Sequence, residues 1–139
     1  MTQTFVELDQ IAQAMKDTMG ETLGIKVLEL SKEKIVATMP VDRRTHQPYG
    51  LLHGGASVAL AETVASIGGM FLVMDKGQWV VGQEINANHV RSVKSGLVTA
   101  IGIPLHQGRT SQIWEIKIVD EDKKLVCISR CTLAVLEPR

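Results

Sequence analysis

Aromatic side chains are scarce in this chain, 4% of 139 residues, and fifteen basic residues cancel fifteen acidic ones to a formal charge of zero. A nucleic-acid partner needs a basic surface that follows phosphates, or aromatic platforms on which bases stack, and the sequence offers neither. Only two cysteines occur, Cys127 and Cys131. On a strand, four residues set their Cα atoms about 13 Å apart, beyond disulfide reach, so two reduced, buried thiols are expected. They form no CxxC, the histidines His46, His53, His89 and His106 include no HExxH, and no metal site is expected. The opening MTQTFVELDQ has no basic region ahead of an apolar run, so no secretory leader is expected and the cytoplasm is the default address.

What the chain does have is apolar patterning, with 45% hydrophobic residues, ordinary for a globular protein, and a length that suits one domain over residues 1–139. The run 51–74 is long enough to cross a bilayer and carries one formal charge, Glu62. A carboxylate at the centre of a lone span costs about 2.5–3.5 kcal/mol, and the flanks show no Lys or Arg asymmetry, so a helix buried in a soluble fold is expected instead of a membrane span. Small residues fill this run: Ala56, Ser57, Ala59, Ala61, Ala65, Ser66, Gly68 and Gly69. They let the backbone lie close to its surroundings, although each glycine costs about 1 kcal/mol of helix propensity.

Around that helix the pattern is regular. Thr4 and Glu7 form a capping box opening a helix with Phe5, Leu8, Ala12, Met15 and Met19 on one face and Gly20 at its end. Alternation of Ile25, Val27, Ile35, Ala37, Met39 and Val41 about a turn at 31–34 predicts a hairpin, followed by a loop at 42–52. Four further strands are expected in a meander. They are marked by Trp79, Val81, Gln83, Ile85 and Ala87; by Leu97, Thr99, Ile101 and Ile103; by Trp114, Ile116 and Ile118; and by the run 125–136. Turns are expected at 106–109 and 120–124, and the whole reads as one α+β unit.

Three features point to chemistry. Glu62 is an ionisable group on a nearly all-apolar helix, costly to bury without partners, which makes it a candidate general base or nucleophile; a solvent-facing position is the alternative. Upstream, Gln47 and the following residues run through His53, Gly54 and Gly55 into the helix. First-turn N–H groups lack internal acceptors and can hold an oxyanion, and the two glycines allow a substrate close approach. His53 can equally be a hydrogen-bonded structural residue. Third, Asn86, Asn88, His89, Arg91 and Ser92 crowd one strand end, and His106, Gln107, Gly108, Arg109, Thr110 and Ser111 a later turn. Arginines beside glycine and hydroxyl groups suit the phosphates of a nucleotide or a pantetheine arm; solvated strand ends are the alternative.

The stretches QPYGLLHGGASVALAE at 47–62 and VVGQEINANHVRS at 80–92 closely resemble the hotdog-fold acyl-CoA thioesterases of the 4-hydroxybenzoyl-CoA and phenylacetate type. Within that group the chain looks most like the 1,4-dihydroxy-2-naphthoyl-CoA hydrolases of quinone (menaquinone) biosynthesis and their relatives that proofread aryl carrier proteins. The resemblance covers about residues 24–136. It implies an α+β hotdog fold, a long central helix wrapped by a six-stranded antiparallel sheet, here with an extra N-terminal helix. It also implies that Glu62 attacks the thioester or activates water, that the Gly54 N–H polarises the carbonyl, and that Gln47 and His53 orient substrate and leaving thiolate. Gly82, His89, Val90, Arg91 and Ser92, with His106, Gly108, Arg109, Thr110 and Ser111, match positions along a CoA channel, and Ser66 joins the substrate-binding set. Gln83 departs from the pattern, since an apolar residue is expected there, and the departure bears on the acyl group.

The implied activity is hydrolysis of an aromatic acyl-CoA to free acid and CoA, with no cofactor or metal beyond the CoA of the substrate. A broad acyl-CoA or carrier-protein proofreading hydrolase, a noncatalytic acyl-CoA sensor and a hotdog dehydratase are the competing readings. Geometry adds an assembly. Gly54 and Glu62 lie about 12 Å apart along one helix, whereas an oxyanion donor must come within about 3 Å of the carbonyl oxygen. Two chains about a twofold axis, their helices antiparallel, bring Glu62 of one to Gln47, His53 and Gly54 of the other. The resemblance implies that homodimer, with shared active sites, doubled to a dimer of dimers.

Overall fold

Alternating strands and one long apolar helix both form where the pattern places them in the computed structural model, which describes residues 5–138. Thr4, the cap of the expected capping box, lies outside the described residues, so the box is not described. Helix α1 (Phe5–Ala14) ends before Gly20, which instead sits in a separate single turn, α2 (Met19–Thr22). The break is local: Asp17 takes a left-handed φ of 62°, tolerated by a short polar side chain, and Thr18 Oγ1 donates to Met15 O. Met19 therefore leaves the apolar face expected for it and is 62% exposed.

Strands β1 (Lys26–Leu30) and β2 (Ile35–Pro40) form the hairpin. Ser31 closes it, its N–H donating to Lys34 O and its Oγ accepting from the Glu33 and Lys34 N–H groups. Helix α3 (Gly54–Val73) continues into a 3-10 turn, Met74–Lys76, and stops at Gly77, where φ is 72°. Strands β3 (Trp79–His89), β4 (Leu97–Gln107), β5 (Ser111–Val119) and β6 (Leu125–Leu136) complete an antiparallel sheet in the order β1-β2-β4-β5-β6-β3. This is the helix-wrapping sheet of the hotdog fold.

The order corrects the expected meander. Strands β4, β5 and β6 follow one another, but β3 lies beyond β6 as an edge strand, and β2 takes the place beside β4. Residues 90–96 make the jump. Seven extended residues reach about 23 Å, more than the about 14 Å of three strand spacings. Along the way Val90 N–H donates to Val126 O, Leu52 N–H to Val93 O and Val41 N–H to Gly96 O.

Two strands also show their core face in a phase other than the expected one. In β4 the buried positions are Val98, Ala100 and Gly102, while Leu97, Thr99, Ile101 and Ile103 take the other face. Distance explains it: a Cβ on Gly102 would stand 2.8 Å from Val64 Cγ1, so α3 admits only small residues beneath it. In β3, Gln83 is an extra residue between the pairs Gly82↔Leu133 and Glu84↔Thr132. This bulge shifts the alternation, so that Val80 before it and Ile85 and Ala87 after it pack on the core while Val81 is exposed.

Helix and sheet meet at very short range. A Cβ on Gly68 would stand 2.6 Å from Trp114 Cη2, and one on Gly69 would collide with Leu133 and Gln112. Gln112, 1% exposed, donates its Nε2 to Gly69 O at 3.2 Å and accepts from Trp114 Nε1 at 2.8 Å. The buried amide and indole are thereby satisfied, and the helix is tied to β5. The long apolar helix is thus the core helix of the sheet, and Cys127 and Cys131 are free, buried thiols on β6.

Gly68→Ala tests the close contact. Alanine gains about 1 kcal/mol of helix propensity, but a Cβ against the rigid indole forces a shift costing about 1–3 kcal/mol. A net loss of about 1 kcal/mol is expected in urea unfolding. A stabilised variant would mean that α3 is free to lift off the sheet.

Candidate active site

The loop between β2 and α3 delivers the first group of candidate residues. Asp42 accepts from the Arg44 guanidinium, 2.7 Å from Nη2, and from the Arg44 backbone N–H. These bonds hold its carboxyl down at about 2. Buried Thr45 donates Oγ1 to Pro40 O, and its carbonyl accepts from the His53 N–H, so both ends of the loop are pinned. Within it, Gln47 Oε1 accepts from the Tyr49 N–H at 2.6 Å and the Leu51 N–H at 3.3 Å. With its oxygen so engaged, the amide has a fixed orientation, and Nε2 has no partner among the described residues.

His53 is the N-cap of α3, its Nδ1 accepting from the Gly55 N–H at 2.7 Å. An accepting Nδ1 on a neutral ring leaves the proton on Nε2 of this exposed side chain. The structural role weighed for His53 is therefore present. The Gly54 N–H meets no acceptor among the described residues and stands at the positive end of the helix. Side chains of the same chain stand close at the two glycines, while Gly54 still lines the groove at this end of the helix. A Cβ on Gly54 would lie 2.9 Å from His89 Nε2, and one on Gly55 2.9 Å from His53 Nδ1.

A groove of about 380 Å³ opens at this end of α3. It gathers Gln47, Gly54, His89, Val90, Arg91 and Ser92, all singled out from the sequence. Leu51 and Leu52 belong to the stretch read with Gln47, and two further lining residues, Ser57 and Val126, were not singled out for the site. Ser57, 1% exposed, follows Gly54 by three residues on the same helical face, a spacing that is readable in advance. Val126 arrives across the sheet, accepting from the Val90 N–H, and no local pattern announces it.

Glu62 stands apart, half-buried two turns further along α3. Its carboxylate lies against Gly82 of β3, in the space that a side chain there would occupy. Burial, then the charges of Glu62 and Glu84, push the Cys131 thiol up to about 12. Burial also raises Cys127. Both remain thiols rather than thiolate nucleophiles. Ser66, one turn after Glu62, lines a second groove together with Val80.

The other polar cluster forms the β4–β5 turn, where the Gly108 N–H donates to Ser111 O and the His106 ring lies over Gly108. Strand register separates it from the first groove. His89 pairs with Cys127 and Ser111 with Ala134, seven residues further along β6. Those seven residues span about 23 Å. One chain therefore gathers Gln47, His53, Gly54 and residues 89–92 at one end of the sheet. Gly82 pairs with Leu133 toward the other end, where Glu62 meets it and where His106, Gly108, Arg109, Thr110 and Ser111 lie. Hydrogen-bond donors collect at one end and the carboxylate toward the other.

Known proteins share this sequence and fold. The family model described as Thioesterase superfamily matches residues 49–127. The 1,4-dihydroxy-2-naphthoyl-CoA hydrolase of Listeria monocytogenes is 50% identical over 119 residues, 86% of this chain and 96% of that one. The proofreading thioesterase EntH of Cronobacter sakazakii is 55% identical over 119 residues, 86% of each. The crystal structure of thioesterase HI1161 from Haemophilus influenzae superposes with a TM-score of 0.91 at 48% identity, covering 97% of this chain and 93% of that one. The shared sequence and the shared fold agree, and the chain belongs to the thioesterase superfamily, as a hotdog-fold thioesterase.

Proposed function

We propose that this enzyme hydrolyses aromatic acyl-CoA thioesters of the 1,4-dihydroxy-2-naphthoyl-CoA kind, at active sites shared between two chains. The observation that carries the reading is the separation of the Glu62 carboxylate from the Gly54 N–H and Gln47 Nε2, both without a partner among the described residues, together with the position of β3 at the sheet edge. An unpaired edge strand invites pairing with another copy. Antiparallel pairing of β3 with itself about Glu84 would set Gly82 opposite Asn86 and Trp79 opposite His89, so the carboxylate end of one chain meets the donor end of the other. The family resemblance supports doubling of this homodimer to a dimer of dimers. Two buried free thiols fit a reducing compartment, the cytoplasm.

In the shared site the Gly54 N–H hydrogen-bonds the thioester carbonyl oxygen, and the bond strengthens as that oxygen gains charge. Gln47 Nε2 and the His53 Nε2–H orient the acyl group and the leaving sulfur. As a base, Glu62 takes a proton from water, the hydroxide adds to the carbonyl carbon, the C–S bond breaks and the proton passes to the CoA sulfur. As a nucleophile, the carboxylate adds directly to the carbonyl carbon, the C–S bond breaks to release the CoA thiolate, and water opens the resulting anhydride to free acid and the Glu62 carboxylate, its proton passing to the thiolate. A thioester is activated enough that a carboxylate, an oxyanion donor and correct placement suffice, with no cofactor beyond the substrate's CoA. Arg91 and Ser92 at one end, and Arg109, Thr110 and Ser111 at the other, offer partners for the CoA phosphates.

The name of the Listeria relative supports an aromatic acyl group and a place in menaquinone biosynthesis. The identity with EntH favours a second reading, proofreading of a broader set of acyl-CoA or carrier-protein thioesters. A substrate panel separates the two by kcat/KM. A peak on 1,4-dihydroxy-2-naphthoyl-CoA is expected, and a flat response across acyl-CoA and acyl-carrier-protein substrates would remove the quinone assignment.

Glu62→Gln keeps the shape and removes the charge, so kcat is expected to fall by about 10²–10⁴-fold with an unchanged circular dichroism spectrum. Near-normal turnover would end the carboxylate mechanism. Sharing of the site is tested by refolding Glu62→Gln chains together with Gln47→Ala chains, each nearly inactive alone. Random mixing leaves half of the dimers hybrid, each with one intact site, so about a quarter of wild-type activity is expected to return. No return, with hybrids seen by native mass spectrometry, would put both groups back in one chain.

A further inference from the structure

We infer that Thr45 and His46 are positioning residues for thioester cleavage, acting through the Gly54 N–H and the Gln47 amide; the inference rests on the reading of those two groups as donors to the substrate. Between β2 and α3 the chain makes a small hairpin of its own. Its base is the bond from the His53 N–H to Thr45 O at 2.8 Å, and its middle is the bond from the Gln47 N–H to Leu51 O at 2.8 Å. Its tip is the turn closed by the Gly50 N–H on Gln47 O, where Gly50 takes a φ of 78°. Gln47 thus stands on the same frame whose last residue, His53, opens α3 and leads into Gly54. The two donors keep their spacing only if this frame stays in one place.

Two adjacent side chains hold it there. Thr45 is 2% exposed, an uncommon setting for a hydroxyl, and the hydroxyl is used twice. Oγ1 donates to Pro40 O at 2.8 Å, at the end of β2, and accepts from the Asp42 N–H at 3.2 Å. His46 reaches a different element: its Nε2 lies 2.9 Å from Lys94 O, 48 residues along the chain. A carbonyl only accepts, so Nε2 carries the proton and donates. The Leu52 N–H repeats that tie on Val93 O at 2.8 Å. Residues 90–96 also bring Arg91 and Ser92 to the groove. One anchor therefore sets the hairpin against the sheet, and the other sets it against the connection that lines the opposite side of the groove.

The closure of the hairpin does not need either side chain, because its rungs are main-chain bonds. What the two side chains fix is where the closed hairpin stands. Gln47 lies two residues beyond Thr45, and Gly54 one residue beyond the partner of Thr45 O, so a tilt at the base reaches both donors. A misplacement of about 1 Å in a reacting site costs about 10²-fold in rate.

Steady-state kinetics of the purified enzyme with benzoyl-CoA tests the assignment, each rate referred to folded protein by circular dichroism. Thr45→Val keeps the shape and removes the hydroxyl. Its kcat is expected to fall about tenfold or more with KM within about twofold, the pattern of contacts that matter in the transition state alone. Thr45→Ser returns the hydroxyl and should bring kcat to within about twofold of wild type. His46→Leu should lower kcat by about threefold or more, and His46→Gln, whose amide nitrogen can take the place of Nε2, should recover it. Residues that only hold the fold together would lower the urea midpoint and leave kcat per folded site unchanged. That result in either Thr45→Val or His46→Leu overturns the inference, as does equal damage from valine and serine at position 45. If Thr45→Val does not fold, the two His46 variants decide alone. Gln47→Ala separates the two levels of the argument. If it cuts kcat while Thr45→Val does not, the positioning role fails and the donors stand, whereas wild-type turnover in Gln47→Ala removes the donor reading itself.

Discussion

Between α3 and the sheet there is no room for a β-carbon at Gly68, Gly69 or Gly102, where Trp114, Leu133 and Val64 stand instead. Dispersion falls off steeply with distance, so a helix seated this closely is held by many contacts that a larger residue would forfeit. Two mid-helix glycines cost about 2 kcal/mol of propensity together, which the burial of neighbours such as Leu60 and Val64 offsets. The Gln112 amide adds a directional tie that packing alone lacks. Together they set both the rotation of α3 and its position along its own axis, so Gly54 reaches His89 and Glu62 reaches Gly82.

Function follows from that placement. At both ends of the α3–β3 contact a glycine is needed because a side chain of the candidate site fills its place: His89 over Gly54, and Glu62 under Gly82. Donor orientation is set by equally local means, with Gln47 Oε1 occupied by its own loop and His53 Nδ1 by the helix it caps. Each group is positioned by main-chain atoms of the same chain before any substrate arrives, which lowers the ordering cost of binding.

Much of this was legible from residue pattern. The β1–β2 hairpin, the extent of α3 and the buried Trp114, Ile116 and Ile118 face follow from simple alternation and run length, because these segments have one clearly apolar side. Strand order was not legible: β3 pairs with β6 across more than thirty intervening residues, a contact with no local signal. The β4 phase was misleading for a different reason. Both of its faces are apolar, and the one against the helix carries the smaller residues, so hydrophobicity pointed to the wrong side. Residues 47–62 and 80–92 revealed the candidate site as a set, but its division between two ends of the sheet depends on the topology, and the Val126 contribution on the β3–β6 register.

The bulge in β3 stores an offset of one residue between Val80 and Ile85, both of which pack on the core. The side chain at Gln83 is turned away from the core, so core packing does not fix its identity. Core packing does fix the length of the strand: removing one residue would rejoin the two halves in a single phase, turn one half outward and slide Gly82 off the carboxylate. The strand is thus open to changes of spelling and closed to changes of count, and the chain has room for an added or lost residue in turns such as the one at 120–124, not in the stretch beneath Glu62.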